Sequence, residues 1–401
     1  METIKHIFKI GYGPSSSHTM GPYKAAEIFK ERNKKAAGYR VTLYGSLALT
    51  GKGHLTDVAL YNAMLPSKCE IIWEPETILP FHTNGMKFEA LNSEDIVIDE
   101  WVVYSVGGGD IVCEEQSALQ EDLHHEEIYD MTELSEILAW CNKTGKAYWE
   151  YVLEIEDSDI MDYLNEVWKT MRDAISRGLE AEGVLPGTIG LQRKACSYYT
   201  KAKGYKDSLK NRGLLFAYAL ATAEENAGGG LVVTAPTCGS AGVLPAVLYY
   251  IQERHDFTNK RILRALATAG LIGNIIKKNA SISGAEVGCQ GEIGAACAMA
   301  SAAANQLFGG SIAQIEYAAE MGLEHHLGLT CDPVAGYVQI PCIERCAFAA
   351  ARAMNCNMYS MLSDGKHRVC FDKVVTVMNQ TGKDLPSLYK ETSQGGLAVV
   401  V

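Results

Sequence analysis

The spacing of apolar positions changes character partway along the chain. Through about residue 115, short β-branched and aromatic runs alternate with a helical pattern. YRVTLYGSLAL (39–49), CEIIW (69–73) and EDIVIDEWVVYSV (94–106) predict strands, and HTMGPYKAAEIFKERNKK (18–35) predicts a helix with a basic last turn. This mixture predicts a small α/β sandwich domain over residues 1–120. Gly107, Gly108 and Gly109 predict a tight turn, and the acidic run CEEQSALQEDLHHEEIYDMTELSE after it loses apolar periodicity. A linker over residues 121–158 is the expectation there. From residue 159 to 401 strand signals fade and alanine-rich helical segments succeed one another, at 160–179, 260–278, 294–308 and 343–355. These predict an all-helical second domain, larger than the first, with no solenoid period.

Composition narrows the class. With 47% hydrophobic and 21% charged residues in 401, the chain is that of a folded globular protein. Its 36 basic against 48 acidic residues leave a net charge of −12, which repels phosphate backbones and argues against nucleic acid as a partner. Twelve cysteines behind an opening METIKHIFKIGYG without an apolar leader run predict a reducing cytoplasm, not a disulfide framework. Residues 226–252 and 293–315 carry no charge, yet they are rich in Gly, Pro, Ala and Ser. Those residues contribute little to membrane insertion and suit closely packed buried helices, so no membrane partner is expected.

Four constellations carry candidate chemistry. Gly13, Pro14, Ser15, Ser16, Ser17, His18 and Thr19 precede a predicted helix, where hydroxyls and free N–H groups make an anion site; N-capping alone would account for one serine. TGKGHLTD, Thr50 to Asp57, follows the predicted strand 39–49, and its His54 titrates nearest neutrality. Cys289, Cys331 and Cys342 each sit in a predicted turn or at a helix start, positions that lower a thiol's pKa and favour metal binding. Cys297, Cys346, Cys356 and Cys370 lie in alanine-rich patterns and read as small buried hydrophobes. No CxxC pair exists, and spacing alone specifies neither a zinc site nor an iron–sulfur cluster. Last, TAPTCGSAG (234–242) forms a second candidate anion cradle, which a pyridoxal phosphate could also use.

GPSSSHTMGP, YGSLALTGKGHLTD, SVGGGDIV, EGVLPG, TAPTCGSAGVLPAV, GCQGEIGAAC, LTCDPVAGYVQIPCIER and KETSQGGLA, in this order, resemble the iron–sulfur L-serine dehydratases. The resemblance covers essentially the whole chain, with a shorter first domain. It implies a 4Fe-4S cluster on Cys289, Cys331 and Cys342 with one open iron site, and His18 and His54 as acid/base residues. It further implies Ser15, Ser16, Ser17, Thr19, Thr56 and Asn84 lining a pocket for L-serine. A cytoplasmic homodimer is expected. The alternatives are a pyridoxal phosphate lyase using Lys277 or Lys278, whose position at a helix end is explained more simply by the helix dipole, and a non-catalytic serine sensor. Many relatives of this kind carry a further cysteine just beyond GGLA, where this sequence reads GGLAVVV. Cys346, one helical turn after Cys342, is the nearest substitute, but its alanine-rich surroundings predict a neutral buried thiol instead of a fourth ligand.

Overall fold

The computed structural model describes residues 1–113 and 126–399. Its first strand, β1 (Ile10–Tyr12), departs from the expected domain boundary. It pairs antiparallel with β7 (Leu231–Val233) of the helical region, and Met1, Ile4, Ile7 and Phe8 pack in the helical core. The residues that follow cross into the α/β unit, beginning with α1 (Gly21–Arg32).

That unit is a five-stranded sheet in the order β3-β2-β4-β5-β6, with β2 (Gly38–Tyr44) parallel to β3 (Lys68–Glu74) and the other neighbours antiparallel. Between β2 and β3 lie α2 (Gly45–Thr50) and α3 (Thr56–Met64); β4 (Gly85–Leu91), β5 (Val97–Gly107) and β6 (Asp110–Val112) complete the sheet. Alternate residues of the strands, including Val41, Leu43, Met86, Phe88, Trp101 and Val103, meet Ala25 and Phe29 of α1 in one buried layer. The glycines at 107–109 all have positive φ and close the β5–β6 hairpin as expected. The predicted strand 39–49, however, ends at Tyr44. Gly45 adopts φ +50°, and a Cβ there would stand 2.6 Å from the Thr83 carbonyl oxygen, so the chain turns and GSLALT becomes helix α2.

The expected linker is also structured where it is described. Helices α4 (Leu134–Thr144) and α5 (Tyr148–Ile155) insert Leu134, Ile137, Cys141, Tyr148 and Val152 into the helical core; residues 114–125 lie outside the described residues. Helix α6 (Ile160–Glu180) buries Ile160, Leu164, Val167, Trp168, Met171 and Ile175, one face at helical spacing. The bundle continues through α7 (Ala195–Gly204), α8 (Asp207–Ala227), α9 (Val243–His255), α10 (Asn259–Asn279) and the single turn α11 (Gly284–Val287). It closes with α12 (Ile293–Leu307), α13 (Ile312–Glu324), α14 (Cys342–Met361) and α15 (Phe371–Asp384). Helix α12 is almost wholly buried, because its Ala and Gly residues let neighbouring backbones approach. Among the described residues no helix is long and apolar enough to cross a membrane.

Candidate active site

His18 and His54 meet at the seam between the two units. Residues Ser16–Met20 form one π turn ahead of α1, and the Ser15 hydroxyl accepts the His18 N–H at 3.0 Å, so capping does account for Ser15. His54 lies on the loop between α2 and α3, a full helix beyond the strand end where it was expected. Two threonines clasp the pair reciprocally. Thr19 Oγ1 donates to the His54 carbonyl at 2.7 Å, and Thr56 Oγ1 donates to the His18 carbonyl at 2.6 Å. The imidazoles are thereby held with centroids 4.5 Å apart and planes tilted by 34°.

Both rings are fully buried. Burial pushes His54 down to about 4 and, together with His54 itself, holds His18 well below the usual histidine range, so both are neutral near pH 7. Their hydrogen bonds fix the tautomers. His54 Nδ1 lies 3.0 Å from the Thr50 carbonyl, which can only accept, so Nδ1 carries the proton and Nε2 the lone pair. Ser46 Oγ gives its one hydrogen to the Glu391 carbonyl at 2.9 Å, which leaves it to accept from His18 Nε2 at 3.2 Å. The His18 lone pair is therefore on Nδ1, facing the Ser17 hydroxyl at 2.8 Å.

Both nitrogens that carry the lone pairs lie near one carboxyl oxygen. Glu391 Oε1 stands 3.6 Å from His18 Nδ1 and 3.8 Å from His54 Nε2. Burial, and Glu292 across the site, push the Glu391 carboxyl well above the ordinary carboxylate range. The segment carrying Glu391 is laced to the Cys331 loop: Cys331 N–H donates to the Tyr389 carbonyl and Glu391 N–H to the Cys331 carbonyl, each at 2.8 Å. Leu397 N–H adds a bond to Asp332 Oδ2 at 2.9 Å.

Beyond Glu391 lie the thiols. One ligand atom each from Cys289, Glu292 and Cys331 falls within 4.8 Å of the others, a group able to hold a metal ion. Cys342, the first residue of α14, is outside that tight set but close enough for Cys289 and Glu292 to act on its charge. Turns and a helix start do carry the three cysteines. Their expected low pKa is not realised for two of them: Cys289 and burial push Cys331 well up, and burial and Cys289 do the same to Cys342. The reason is crowding of acidic groups in a dry site; of the cations, Arg345 reaches in, bonding the Thr330 carbonyl at 2.6 Å beneath the Cys331 loop. Such a donor set calls for bound positive charge, and thiolates suit iron or zinc over calcium or magnesium. Space is kept beside it by Gly284, where a Cβ would lie 2.6 Å from Glu292 Oε2 and 3.0 Å from Cys331 Sγ.

Residues 67–398 match the family model described as the serine dehydratase alpha chain, and residues 3–68 match the serine dehydratase beta chain. The chain belongs to the serine dehydratase family. It is 42% identical to L-serine dehydratase TdcG of Escherichia coli, over 98% of each chain. It is 40% identical to L-serine dehydratase 2 of the same organism, over 100% of this chain and 99% of the relative. With the L-serine dehydratase of Streptomyces coelicolor it shares 39% identity over 99% of this chain and 98% of the relative. The two serine dehydratase models join at the first residue of β3, inside the sheet, so both contribute to the α/β unit.

Within this serine dehydratase the remaining expected residues divide. Ser15, Ser16 and Ser17 are buried beside His18. Thr19 and Thr56 are buried too, but their hydroxyls are spent on the histidine carbonyls. Asn84 Nδ2 binds the Ser105 carbonyl at 3.2 Å, while Asn84 Oδ1 and Ser105 Oγ are buried with no hydrogen-bond partner among the described residues. Cys346 gives its thiol hydrogen to the Gly239 carbonyl at 3.2 Å, and burial pushes it up to about 12. The second cradle faces a carboxyl of the chain itself: Thr237 Oγ1 donates to Glu292 at 2.8 Å. Lys277 is occupied by Asp110 at 2.7 Å and Glu2 at 2.9 Å, and Lys278 pairs with Glu127. Sequence reasoning passed over Glu292, Glu391 and Ser46. The available signal was Glu292's place directly before the uncharged stretch 293–315, where a lone charge needs a reason.

Proposed function

We propose that this chain is an L-serine ammonia-lyase that converts L-serine to pyruvate and ammonia with a 4Fe-4S cluster. Cys289, Cys331 and Cys342 would hold the cluster. The observation that carries the reading is the continuity of one buried site, from two neutral histidines through Glu391 to three cysteines, in a member of this family. When bound, a four-iron cluster held by three thiolates supplies an iron with a free coordination position, a Lewis acid for a poor leaving group such as hydroxide.

The chain's own residues supply the rest. His54 is the base for the Cα proton, since its Nε2 lone pair meets no hydrogen-bond donor among the described residues, whereas His18 Nδ1 already accepts from Ser17. His18, bonded through Ser17 and Ser46, is placed to relay a proton toward the departing hydroxyl. Ser15, Ser16 and Ser17 lie where a carboxylate would meet hydroxyl and backbone donors, and Asn84 Oδ1 offers an unused acceptor. Thr19 and Thr56 act as positioning residues through the histidine carbonyls. Burial excludes water, which would otherwise quench the carbanion-like charge at Cα. Aminoacrylate leaves, tautomerises and hydrolyses. The test is pyruvate formation from L-serine by protein handled anaerobically. A pyridoxal phosphate reading would instead require a lysine Schiff base that borohydride reduces, and the engaged ammonium groups of Lys277 and Lys278 weigh against it.

A further inference from the structure

Glu391 is 6% exposed and is fixed from both sides, through its N–H on the Cys331 carbonyl and its carbonyl under the Ser46 hydroxyl. Its backbone takes φ +59°, a left-handed conformation a glutamate rarely adopts, so the surrounding structure enforces its position. Among the described residues the carboxyl nevertheless lacks a close partner. Both histidine nitrogens stand beyond hydrogen-bond length, and among the described residues no lysine or arginine pairs with it. Glu292, the other carboxyl of the site and only partly buried, is by contrast engaged by Thr237 and lies 3.5 Å from Cys289 Sγ.

The reading given above requires a substrate with an ammonium group, and the neutral histidines and hydroxyls offer that charge no counter-ion, whereas an ammonium against Glu391 favours the carboxylate form that burial alone disfavours. The geometry points to Glu391 as the acceptor of the substrate's α-ammonium group, and so as the residue that selects α-amino acids over acids that lack the amine. An ammonium anchored on Glu391 places Cα one bond away. The Cα–H then falls beside His54 Nε2, which lies 3.8 Å from the same carboxyl oxygen. One contact would thus provide both recognition and alignment of the proton to be removed.

The inference rests on the proposed lyase reading but is tested separately from it. L-Alanine and propionate differ only by the amine and, lacking a β-hydroxyl, do not turn over. Binding of each to cluster-loaded wild type and E391Q is measured by anaerobic titration calorimetry, with iron content and circular dichroism confirming intact protein. Wild type is expected to hold L-alanine at least about 10-fold tighter than propionate. E391Q should weaken L-alanine by about 10- to 100-fold, the range for a hydrogen bond to a charged group, and leave propionate within about 2-fold. Equal weakening of both ligands, or an unchanged preference for L-alanine, would overturn the assignment. If E391Q loses its cluster, the wild-type pair decides alone, since equal affinities for L-alanine and propionate also overturn it. Pyruvate formation from serine by wild type tests the lyase reading independently of these affinities.

Discussion

Replacing the two clasping threonines by valine separates the architecture of the histidine pair from its chemistry, because valine keeps the shape and removes only the hydroxyl. In wild type, Thr19 Oγ1 makes two buried hydrogen bonds, donating to the His54 carbonyl at 2.7 Å and accepting the Ser15 N–H at 3.1 Å. Thr56 Oγ1 makes one, to the His18 carbonyl at 2.6 Å. A buried polar group deprived of its partner costs about 1–3 kcal/mol. T19V should therefore destabilise by roughly 2–6 kcal/mol and T56V by roughly 1–3 kcal/mol, with T19V the worse. Threonine to serine at either site keeps the hydroxyl, and should cost about 1 kcal/mol for the lost methyl. Urea denaturation measures the difference as a shift in midpoint at unchanged slope. Turnover should fall in parallel by about 10- to 100-fold for the valine variants, as misplaced catalytic groups do. Equal costs for T19V and T56V, or a cost below about 0.5 kcal/mol for either, would refute the clasp as the device that positions the histidines.

Other expectations follow from the same geometry. H54A and H18A should each retain iron and lose about 100-fold or more in turnover; near-normal rates with full iron would remove that histidine from the mechanism. Because burial holds His54 at about 4 in the folded state against 6.5 ordinarily, the unfolded chain binds the proton first as pH falls. The His54 contribution to stability is intact above about pH 6.5 and declines toward pH 4, by up to about 3 kcal/mol, and H54A should flatten this part of the profile in acid denaturation. Cys289→Ser, Cys331→Ser or Cys342→Ser should abolish both visible cluster absorbance and activity, while Cys346→Ser and Cys297→Ser keep them. Iron retained in Cys342→Ser but lost in Cys346→Ser would reverse the ligand assignment.

Much of the candidate site was legible because His18, His54, Cys289 and Cys331 lie near polar and glycine residues that regular structure does not need, and Cys342 follows Pro341 at a helix start. Glu292 and Glu391 were not, since carboxylates are common at surfaces and only the fold reveals that Glu391 is buried and Glu292 partly so. Elements failed where the pattern was ambiguous or the partner remote. The apolar spacing of GSLAL suits strand and helix alike, and the turn at Gly45 decides between them by its contact with Thr83. The acidic surface of residues 133–156 hid the helical spacing of Leu134, Ile137 and Cys141, which pack against α-helices far along the chain. The first twelve residues join the helical unit through β7, more than two hundred positions away, a pairing no local signal announces.

The central claim joins the cysteines and histidines in one iron-dependent elimination, and the most direct measurement is pyruvate yield from L-serine across anaerobic preparations loaded with graded amounts of iron and sulfide. Turnover should rise in proportion to iron, reach its maximum at about four iron atoms per chain, and vanish in chelator-stripped protein. Pyruvate formed at full rate by iron-free protein would contradict the account.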